Sequence, residues 1–448
     1  MSNHVSVLSH SASRKKIIVK SSLFIVLMLV FSLVGTALAV AGDLHWHDQY
    51  DLAEKSDFVM AMTSDNELLY VAGIGINEND LSEWTVRAYN NDDGSLVWED
   101  IYFGGTTSPS PRAISIEDGR LFVGGDQNIA YGDWILRAYD ASNGDLIWQE
   151  YLEDGRVKAI VADSRKVIAA GNGRDEAGNF VNLVRAYDAR NGNLLWQKEY
   201  ESGSLDFVEL TGTTIILAGS YSGGVGNSNW IIRALDIRNG VERWVEQFDL
   251  AGGHDQINSI ALNKENVYVA GYGLNEVGNF DWLVRAYNAL DGSLQWQNQF
   301  DLAGDFDIAN DIAVSGNRVL VAGVSGLNVD SFDGDGIIRT YSGQDGTILW
   351  DEQLDVNETD NGFDLIAVKG QQIIVAGTDY SLNGYFGWNV TSYNSTTGNL
   401  LWQDDLVNNG IFDEAVAIAS GNEMVFVAGE VTQNGEWTDW LINAYSLR

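Results

Sequence analysis

Cysteine is absent from this chain of 448 residues, which also contains only two prolines and five histidines. Without cysteine the chain can form no disulfide framework, thiolate metal site, cysteine nucleophile or lipid-modified cysteine. The scarcity of proline argues against a proline-rich linker. The fold must therefore depend on burial of an apolar core, for which a chain of this length is ample.

Basic residues are scarce as well, because 26 Lys and Arg stand against 63 Asp and Glu, for a formal net charge of −37. Such an acidic surface repels nucleic acid and anionic membranes and attracts cations or basic partners. It equally suits a solvated surface with no ligand. The charge therefore excludes a nucleic-acid partner and favours a protein or a cationic ligand.

The beginning of the chain differs in composition from the rest. Basic residues within 14–20 precede an apolar run over 23–34, and residues 37–41 offer small-x-small cleavage patterns. This combination predicts a secretory signal peptide over 1–41 and an exported mature protein, periplasmic or extracellular, without a membrane span. The alternative is an uncleaved membrane anchor, for which the apolar run is short.

Two landmarks recur throughout the remaining sequence. A Gly four residues before a Trp recurs in successive units, ending at Trp98, Trp148, Trp196, Trp244, Trp296, Trp350 and Trp402. A small apolar triplet that ends in Gly closes a β-branched run at Gly73, Gly125, Gly171, Gly219, Gly271, Gly323, Gly377 and Gly429. The second landmark counts eight units with a period near 50 residues. Such a period is typical of radially repeated blades.

Each unit contains four short runs that favour β-strands, divided by Gly, Asn and Asp turns. In the fifth unit these runs cover 256–262, 267–270, 282–287 and 293–300. The predicted fold is all-β, one eight-bladed propeller over 42–448 with four antiparallel strands per blade. The last unit stops before its Trp, whereas the mature chain opens with Gly42 and Trp46. The N-terminal strand is therefore expected to complete the last blade and close the ring.

The segment from Ala138 to Trp148 resembles the repeat of the PQQ-like, or quinoprotein-type, β-propeller family, Ala-x-Asp-x-x-x-Gly-x-x-x-Trp. The resemblance covers every unit, with departures such as Ser342 where the motif has Asp. It implies the propeller fold. It does not imply one function, because the same repeat builds both quinoprotein dehydrogenases and non-catalytic scaffolds such as BamB-type outer-membrane assembly proteins.

Few residues are suited to catalysis, and we predict no catalytic residue. The mature chain has three histidines, of which His254 stands where other units have Ser56, Phe306 or Phe412. The vicinal cysteines that stack on pyrroloquinoline quinone (PQQ) in the related dehydrogenases cannot exist here. No residues match the Ca²⁺ carboxylates of that family either, so PQQ is not expected as a cofactor.

One acidic loop resembles a Ca²⁺ loop. Asp330, Asp333 and Asp335 lie within a few residues of one another, without the EF-hand spacing and without its terminal bidentate Glu. Both a Ca²⁺ site and a plain solvated turn stay open for this loop.

Four carboxylates repeat at one position of the unit. Asp57, Asp255, Asp307 and Asp413 each lie sixteen residues before the Gly that ends the second strand. Two interpretations are open: an acidic rim that attracts a partner, or carboxylates that cap their own loops. The connections that vary in length, between the second and third strands and between blades, open on the same face, which marks that face as the binding face.

We therefore predict an exported, non-catalytic binding or scaffold propeller that uses this face. The alternatives are a PQQ- or metal-dependent oxidoreductase and a carbohydrate-binding or carbohydrate-hydrolysing propeller.

Overall fold

The computed structural model describes residues 41–448 except 105–107, 128–131, 202, 225–226, 303, 329–332, 355–361, 381–385, 407–412 and 434–436. The described residues belong to one compact unit, Ala39–Arg448, and contain no helix. None of them therefore forms a helix long and apolar enough to cross a membrane. The predicted signal peptide lies outside the described residues apart from Ala41.

The described strands form eight antiparallel sheets of four strands each. Within each sheet, or blade, the strands are named A to D from the channel outwards. The A strands of neighbouring blades contact one another around a complete ring, so they form its inner wall. The predicted all-β, eight-bladed propeller is confirmed.

The strands follow the chain in order. Blades 1 to 4 comprise β2 Phe58–Ser64, β3 Leu68–Ile76, β4 Ser82–Asn90 and β5 Leu96–Tyr102; β6 Ser110–Glu117, β7 Arg120–Gln127, β8 Asp133–Asp140 and β9 Leu146–Leu152; β10 Arg156–Ala162, β11 Lys166–Arg174, β12 Phe180–Asp188 and β13 Leu194–Tyr200; β14 Ser204–Thr211, β15 Thr214–Gly224, β16 Asn227–Asp236 and β17 Glu242–Phe248. Blades 5 to 7 comprise β18 Asp255–Leu262, β19 Asn266–Leu274, β20 Phe280–Asn288 and β21 Leu294–Phe300; β22 Phe306–Ser315, β23 Arg318–Asn328, β24 Asp333–Ser342 and β25 Ile348–Leu354; β26 Leu365–Lys369, β27 Gln372–Tyr380, β28 Phe386–Asn394 and β29 Leu400–Leu406. Blade 8 comprises β30 Glu414–Ser420, β31 Met424–Gln433, β32 Trp437–Ser446 and β1 Leu44–Tyr50.

Ring closure takes place in blade 8. Strand β1 pairs antiparallel with β32, with Trp46 opposite Ala444 and Tyr50 opposite Trp440. Just before β1, the backbone N–H of Gly42 donates to the carbonyl of Ser446 at 2.8 Å. The predicted completion of the last blade by the N-terminal strand is confirmed.

The Gly and Trp of the repeat meet between blades. The indole N–H of Trp98 in blade 1 donates to the carbonyl of Ala141 in blade 2 at 2.8 Å. A Cβ added at Gly144, which follows that carbonyl in the same turn, would lie 2.7 Å from the ring of Trp98. Gly144 also has a φ of +77°, which favours glycine. The motif therefore specifies how one blade packs on the next.

The same indole-to-carbonyl bond recurs from one blade to the following one. The pairs are Trp46–Asn91, Trp148–Ala189, Trp196–Ile237, Trp244–Ala289, Trp296–Gly343 and Trp350–Ser395.

The arginines of the C strands also bridge blades, by stacking and by charge. Arg137 lies 4.6 Å from the ring centre of Tyr102 and 2.8 Å from Asp100, both on strand D of the preceding blade. Arg285 instead stacks on Phe248 at 3.9 Å and donates to Gln297 of its own blade. Both arginines thus stack on an aromatic ring of the preceding blade, but only Arg137 also forms an ion pair with that blade.

Strand B was predicted too short. In blade 5 the prediction ended it at Ala270, whereas β19 continues to Leu274, beyond Gly271. The ladder continues because backbone groups pair Gly273 with Asp281 and Leu274 with Phe280. Backbone hydrogen bonds form whether or not the residue has a side chain, so Gly271 does not end the strand.

Candidate functional site

The two faces of the ring carry different connections. Strand A begins, strand B ends, strand C begins and strand D ends on one face, which carries the D–A and B–C loops and is called here the DA/BC face. The opposite AB/CD face carries the tight A–B and C–D turns. The insertions found in the sequence therefore lie on the DA/BC face.

The four repeated aspartates lie just below this face, at the start of the A strands. Their side chains are buried, with exposed fractions of 0–1% for Asp57, Asp255, Asp307 and Asp413. Asp57 accepts the N–H of Leu52 in the D–A loop at 2.8 Å and the N–H of Ile76 at the end of strand B at 3.1 Å. Each oxygen of this carboxylate thus holds one of the two segments.

Asp255 and Asp307 repeat both contacts, and Asp413 repeats the contact with strand B. Asp255 accepts from Leu250 and Leu274, Asp307 accepts from Leu302 and Gly326, and Asp413 accepts from Thr432. We call these four carboxylates the loop staples. The capping interpretation accounts for all these contacts, and a partner cannot reach the buried carboxylates directly. Their role as an acidic rim that attracts a cation or a basic partner by charge stays a prediction.

Burial makes the staples harder to ionise. Burial raises the pKa of Asp57 to about 7, and the charges of Asp51 and Asp439 act in the same direction, whereas the two N–H donors oppose the shift. Burial likewise raises the pKa of Asp255 and that of Asp307 to about 6. The buried negative charge thus costs free energy that the two hydrogen bonds offset only in part.

The stability of the fold is therefore expected to fall as the pH rises from about 4 to about 7. Over this interval the folded chain holds protons on the staples that the unfolded chain, with an aspartate pKa of 3.8, has lost. Asp57→Asn cannot ionise and should make the free energy of unfolding, measured by urea titration at each pH, less dependent on pH.

Relief of the net negative charge at low pH acts in the same direction, so a matched control is needed. Asp92→Asn removes one charge from an exposed turn and leaves the staples intact. If the two variants show the same pH dependence, burial of Asp57 contributes nothing to it.

Three carboxylates converge beside one staple. Single oxygens of Asp51, Asp57 and Asp439 lie within 4.8 Å of one another. Gln49 donates to Asp439 at 2.6 Å, and both oxygens of Asp57 already accept backbone N–H groups. These hydrogen bonds account for the cluster without an ion. The sequence prediction missed this grouping, because Asp439 comes from the other end of the chain.

The predicted Ca²⁺ loop is only partly within the described residues. Asp330 lies outside them, as does the side chain of Asp333. Asp335 lies on β24 and accepts a hydrogen bond from Gln353 at 2.5 Å. A cation site at Asp330, Asp333 and Asp335 stays a prediction.

Exposed apolar side chains of the described residues differ in type between the two faces. The four aromatic side chains that are exposed among the described residues all lie towards the DA/BC face, at the ends of D strands or the starts of C strands: Phe103 (47% exposed), Tyr151 (44%), Phe180 (57%) and Trp437 (39%). Most exposed aliphatic side chains lie at the other end, where the D strands begin. Aromatic residues are enriched at protein interfaces.

A further aromatic cluster lies on the same face between blades 5 and 6. The rings of Tyr272 and Phe280 are 4.6 Å apart, and Phe280 lies 4.9 Å from Phe306 of blade 6. His254 lies beside the first two, with ring centres 6.1 and 6.3 Å away. The histidine thus belongs to a half-buried aromatic surface.

Charges around the inner edge of this face are distributed unevenly. In blades 2 to 4, Arg112 and Arg156 both pair with Asp126, and Lys158 lies 2.8 Å from Asp206. These three basic side chains therefore share two carboxylates, which leaves one excess positive charge among the five groups.

Blade 8 presents the opposite arrangement. Glu414 and Glu430 stand directly opposite each other on neighbouring strands. Burial raises the pKa of Glu430 to about 7, and the charge of Glu414 adds to the shift. Like charges in such a pair are destabilising. The two glutamates therefore concentrate acidic groups in this arc of the DA/BC face.

The sequence profile of one family, described as outer membrane protein assembly factor BamB, matches residues 82–283 and 229–438. The chain belongs to this family. A comparison with curated protein sequences gives no match.

Solved structures agree with the fold. BamB from Moraxella catarrhalis is 15% identical with a TM-score of 0.52, over 90% of this chain and 98% of that one. The quinohemoprotein alcohol dehydrogenase from Comamonas testosteroni is 13% identical with a TM-score of 0.56, over 90% and 76% of the two chains. The computationally designed protein Ika8 is 12% identical with a TM-score of 0.56, over 88% and 98%. At these identities the likeness shows the fold alone.

The fold is shared with quinone-dependent alcohol dehydrogenases, in which the cofactor is PQQ. PQQ carries several carboxylates and therefore needs basic side chains. Among the described residues at the starts of the A strands, Arg112, Arg156 and Lys158 already lie in ion pairs with Asp126 and Asp206. The described residues of the channel mouth therefore do not fit the quinone, because each of these basic side chains already binds a carboxylate of the chain.

Proposed function

We propose that this chain is an exported, non-catalytic propeller that binds a protein partner through its DA/BC face. The observation that carries the proposal is the position of the exposed aromatic side chains, all of which, among the described residues, lie on the face that also carries the variable loops. Buried aromatic anchors supply much of the binding energy of protein interfaces.

Two further observations support the proposal. The acidic composition and the opposed Glu414 and Glu430 favour a partner with a basic surface. The family profile is that of an outer-membrane assembly factor, which supports export and a role in assembly contacts. The basic and apolar pattern of residues 14–41 supports export independently.

Removing three of the four exposed aromatic side chains among the described residues is expected to weaken binding strongly. A variant with Phe103→Ser, Phe180→Ser and Trp437→Ser should capture its partner from envelope extract at least ten-fold more weakly, because truncating one aromatic anchor can cost about 2 kcal/mol or more. Immobilised protein and mass spectrometry of the eluate measure the loss.

The control changes the opposite face by the same number of exposed apolar residues. Leu96→Ser, Leu290→Ser and Leu349→Ser lie towards the AB/CD face and should leave capture unchanged. Loss of capture in the control, with retention in the aromatic variant, would assign binding to the other face.

A further inference from the structure

A pocket of about 290 Å³ opens on the DA/BC face between blades 4 and 5. We call it the blade 4/5 pocket. It is lined by Asp206, Phe207, Gly219, Ser220, Ser228, Gln256, Ile257 and Asn258. The volume is ample for a substituted aromatic ring, since a cavity of about 150 Å³ is sufficient to bind benzene.

The pocket exists because two side chains of the repeat are small in blade 4. Ser220 stands opposite Trp230 on the neighbouring strand, as Tyr272 stands opposite Trp282 in blade 5. Ser228 lies two residues before Trp230, as Phe280 lies two residues before Trp282. Ser220 and Ser228 therefore hold the positions of Tyr272 and Phe280.

In blade 5 the two rings fill the corresponding space. Tyr272 packs against Phe280, and Phe280 reaches Phe306 of blade 6. In blade 4 the serines leave this space open towards Gln256, Ile257 and Asn258 of blade 5. The repeat thus shows that aromatic groups fit at the equivalent junction between blades 5 and 6.

Another blade with a small residue there fills the gap differently. In blade 2 the equivalent of Ser228 is Gly132, and Arg156 of blade 3 packs so closely that an added Cβ would lie 2.7 Å from its Cγ. The counterpart of Arg156 in blade 5 is Gln256, which is exposed. Its amide accepts from the Tyr272 hydroxyl at 3.0 Å and donates to Asn258 at 3.2 Å, which orients it within its own blade.

The lining residues determine which kind of side chain the pocket can bind. Phe207 and Ile257 provide apolar walls, and Ser220 and Ser228 provide hydroxyl groups. The side-chain amide of Asn258 instead donates to the carbonyl of Ala309 in blade 6 at 2.9 Å. Lys158 balances the charge of Asp206 at 2.8 Å, and the Ser204 hydroxyl donates a hydrogen bond to the same carboxylate at 2.5 Å. An uncharged aromatic ring with a polar tip matches these walls.

We propose that the blade 4/5 pocket binds a tyrosine side chain of the protein partner. This side chain occupies the space that corresponds to the one filled by Tyr272 and Phe280 in blade 5. The inference rests on the proposed function, because it assigns an anchor to the face that binds the partner.

The test uses N-acetyl-tyrosinamide as the probe and N-acetyl-leucinamide as the non-aromatic control, in ligand-observed NMR with the mature protein. The tyrosine probe is expected to bind weakly, and the leucine probe at least ten-fold more weakly. The variant Ser220→Tyr with Ser228→Phe copies blade 5 into blade 4 and should keep the melting temperature while losing the tyrosine probe. Ser220→Tyr alone provides a second filled pocket if the double variant does not fold.

The reverse change is the matched control. Tyr272→Ser with Phe280→Ser opens blade 5 as blade 4 is open, and should add a second binding event for the tyrosine probe. Three results would each overturn the proposed tyrosine site. They are absence of tyrosine-probe binding to the unaltered protein, equal binding of the leucine probe, and unchanged binding of the tyrosine probe to the filled variant. If partner capture still depends on Phe103, Phe180 and Trp437 in that case, the proposal that the DA/BC face binds the partner stands without the tyrosine site.

Discussion

Replacing Trp46 with alanine is expected to lower the free energy of unfolding by about 3–5 kcal/mol, the usual cost of removing a buried Trp. The side chain is 8% exposed and packs near Tyr89 of blade 1 and Phe426 of blade 8, with ring centres 6.2 and 5.7 Å away. Its indole N–H donates to the carbonyl of Asn91 at 2.9 Å. Because it joins the first and last blades, its loss weakens the closure of the ring.

The control lies on the same strand. His47→Ala removes an exposed side chain next to Trp46 and should change the free energy of unfolding by less than about 0.5 kcal/mol. Deletion of residues 42–50 should cost more than Trp46→Ala, because it also removes the backbone pairing with β32. Equal chemical denaturation midpoints for Trp46→Ala and the unaltered protein would contradict the closure.

Gly144→Ala is the second large effect, with an expected cost of roughly 2–5 kcal/mol. About 1–2 kcal/mol comes from a left-handed backbone at φ +77°, and about 1–3 kcal/mol comes from overpacking. The overpacking arises because the new Cβ would lie 2.7 Å from the Trp98 ring, which is itself held by its bond to Ala141.

Gly119→Ala separates these two contributions. Gly119 has a similar φ of +71° but nothing within 4 Å of an added Cβ. Its substitution should therefore cost only the backbone strain, about 1–2 kcal/mol. If the two substitutions cost the same in urea titrations, contact with Trp98 is not the reason for the repeated Gly.

The repeat motif predicted the fold well because its Gly and Trp residues contact each other across the interface between neighbouring blades. The spacing from Gly to Trp is constant since Gly144 and its counterparts each pack on the Trp of the preceding blade. Ring closure was also predictable, because Gly42 and Trp46 supply the part of the repeat that the last unit lacks. The end of strand B was not predictable, because the backbone ladder continues past Gly271 and the side chains there show no pattern that marks a strand.

The candidate site was less predictable. The spacing of Asp57 and its counterparts located the loop staples, but burial, which decides whether a partner can touch them, depends on packing of the loops above them. The exposed aromatic surface was missed because Phe180 and Trp437 look like any other aromatic residue of a strand. The blade 4/5 pocket did have a signal, the serines at 220 and 228 where the next unit has aromatic residues.

Site-specific photo-crosslinking in the cell envelope tests the central claim most directly. A photoreactive phenylalanine analogue replaces Phe103, Phe180 or Trp437 on the DA/BC face, or Leu96, Leu290 or Leu349 towards the AB/CD face, one position at a time. Binding through the DA/BC face predicts one discrete crosslinked protein from the first three positions and none from the other three. Crosslinks from the AB/CD positions alone would contradict it.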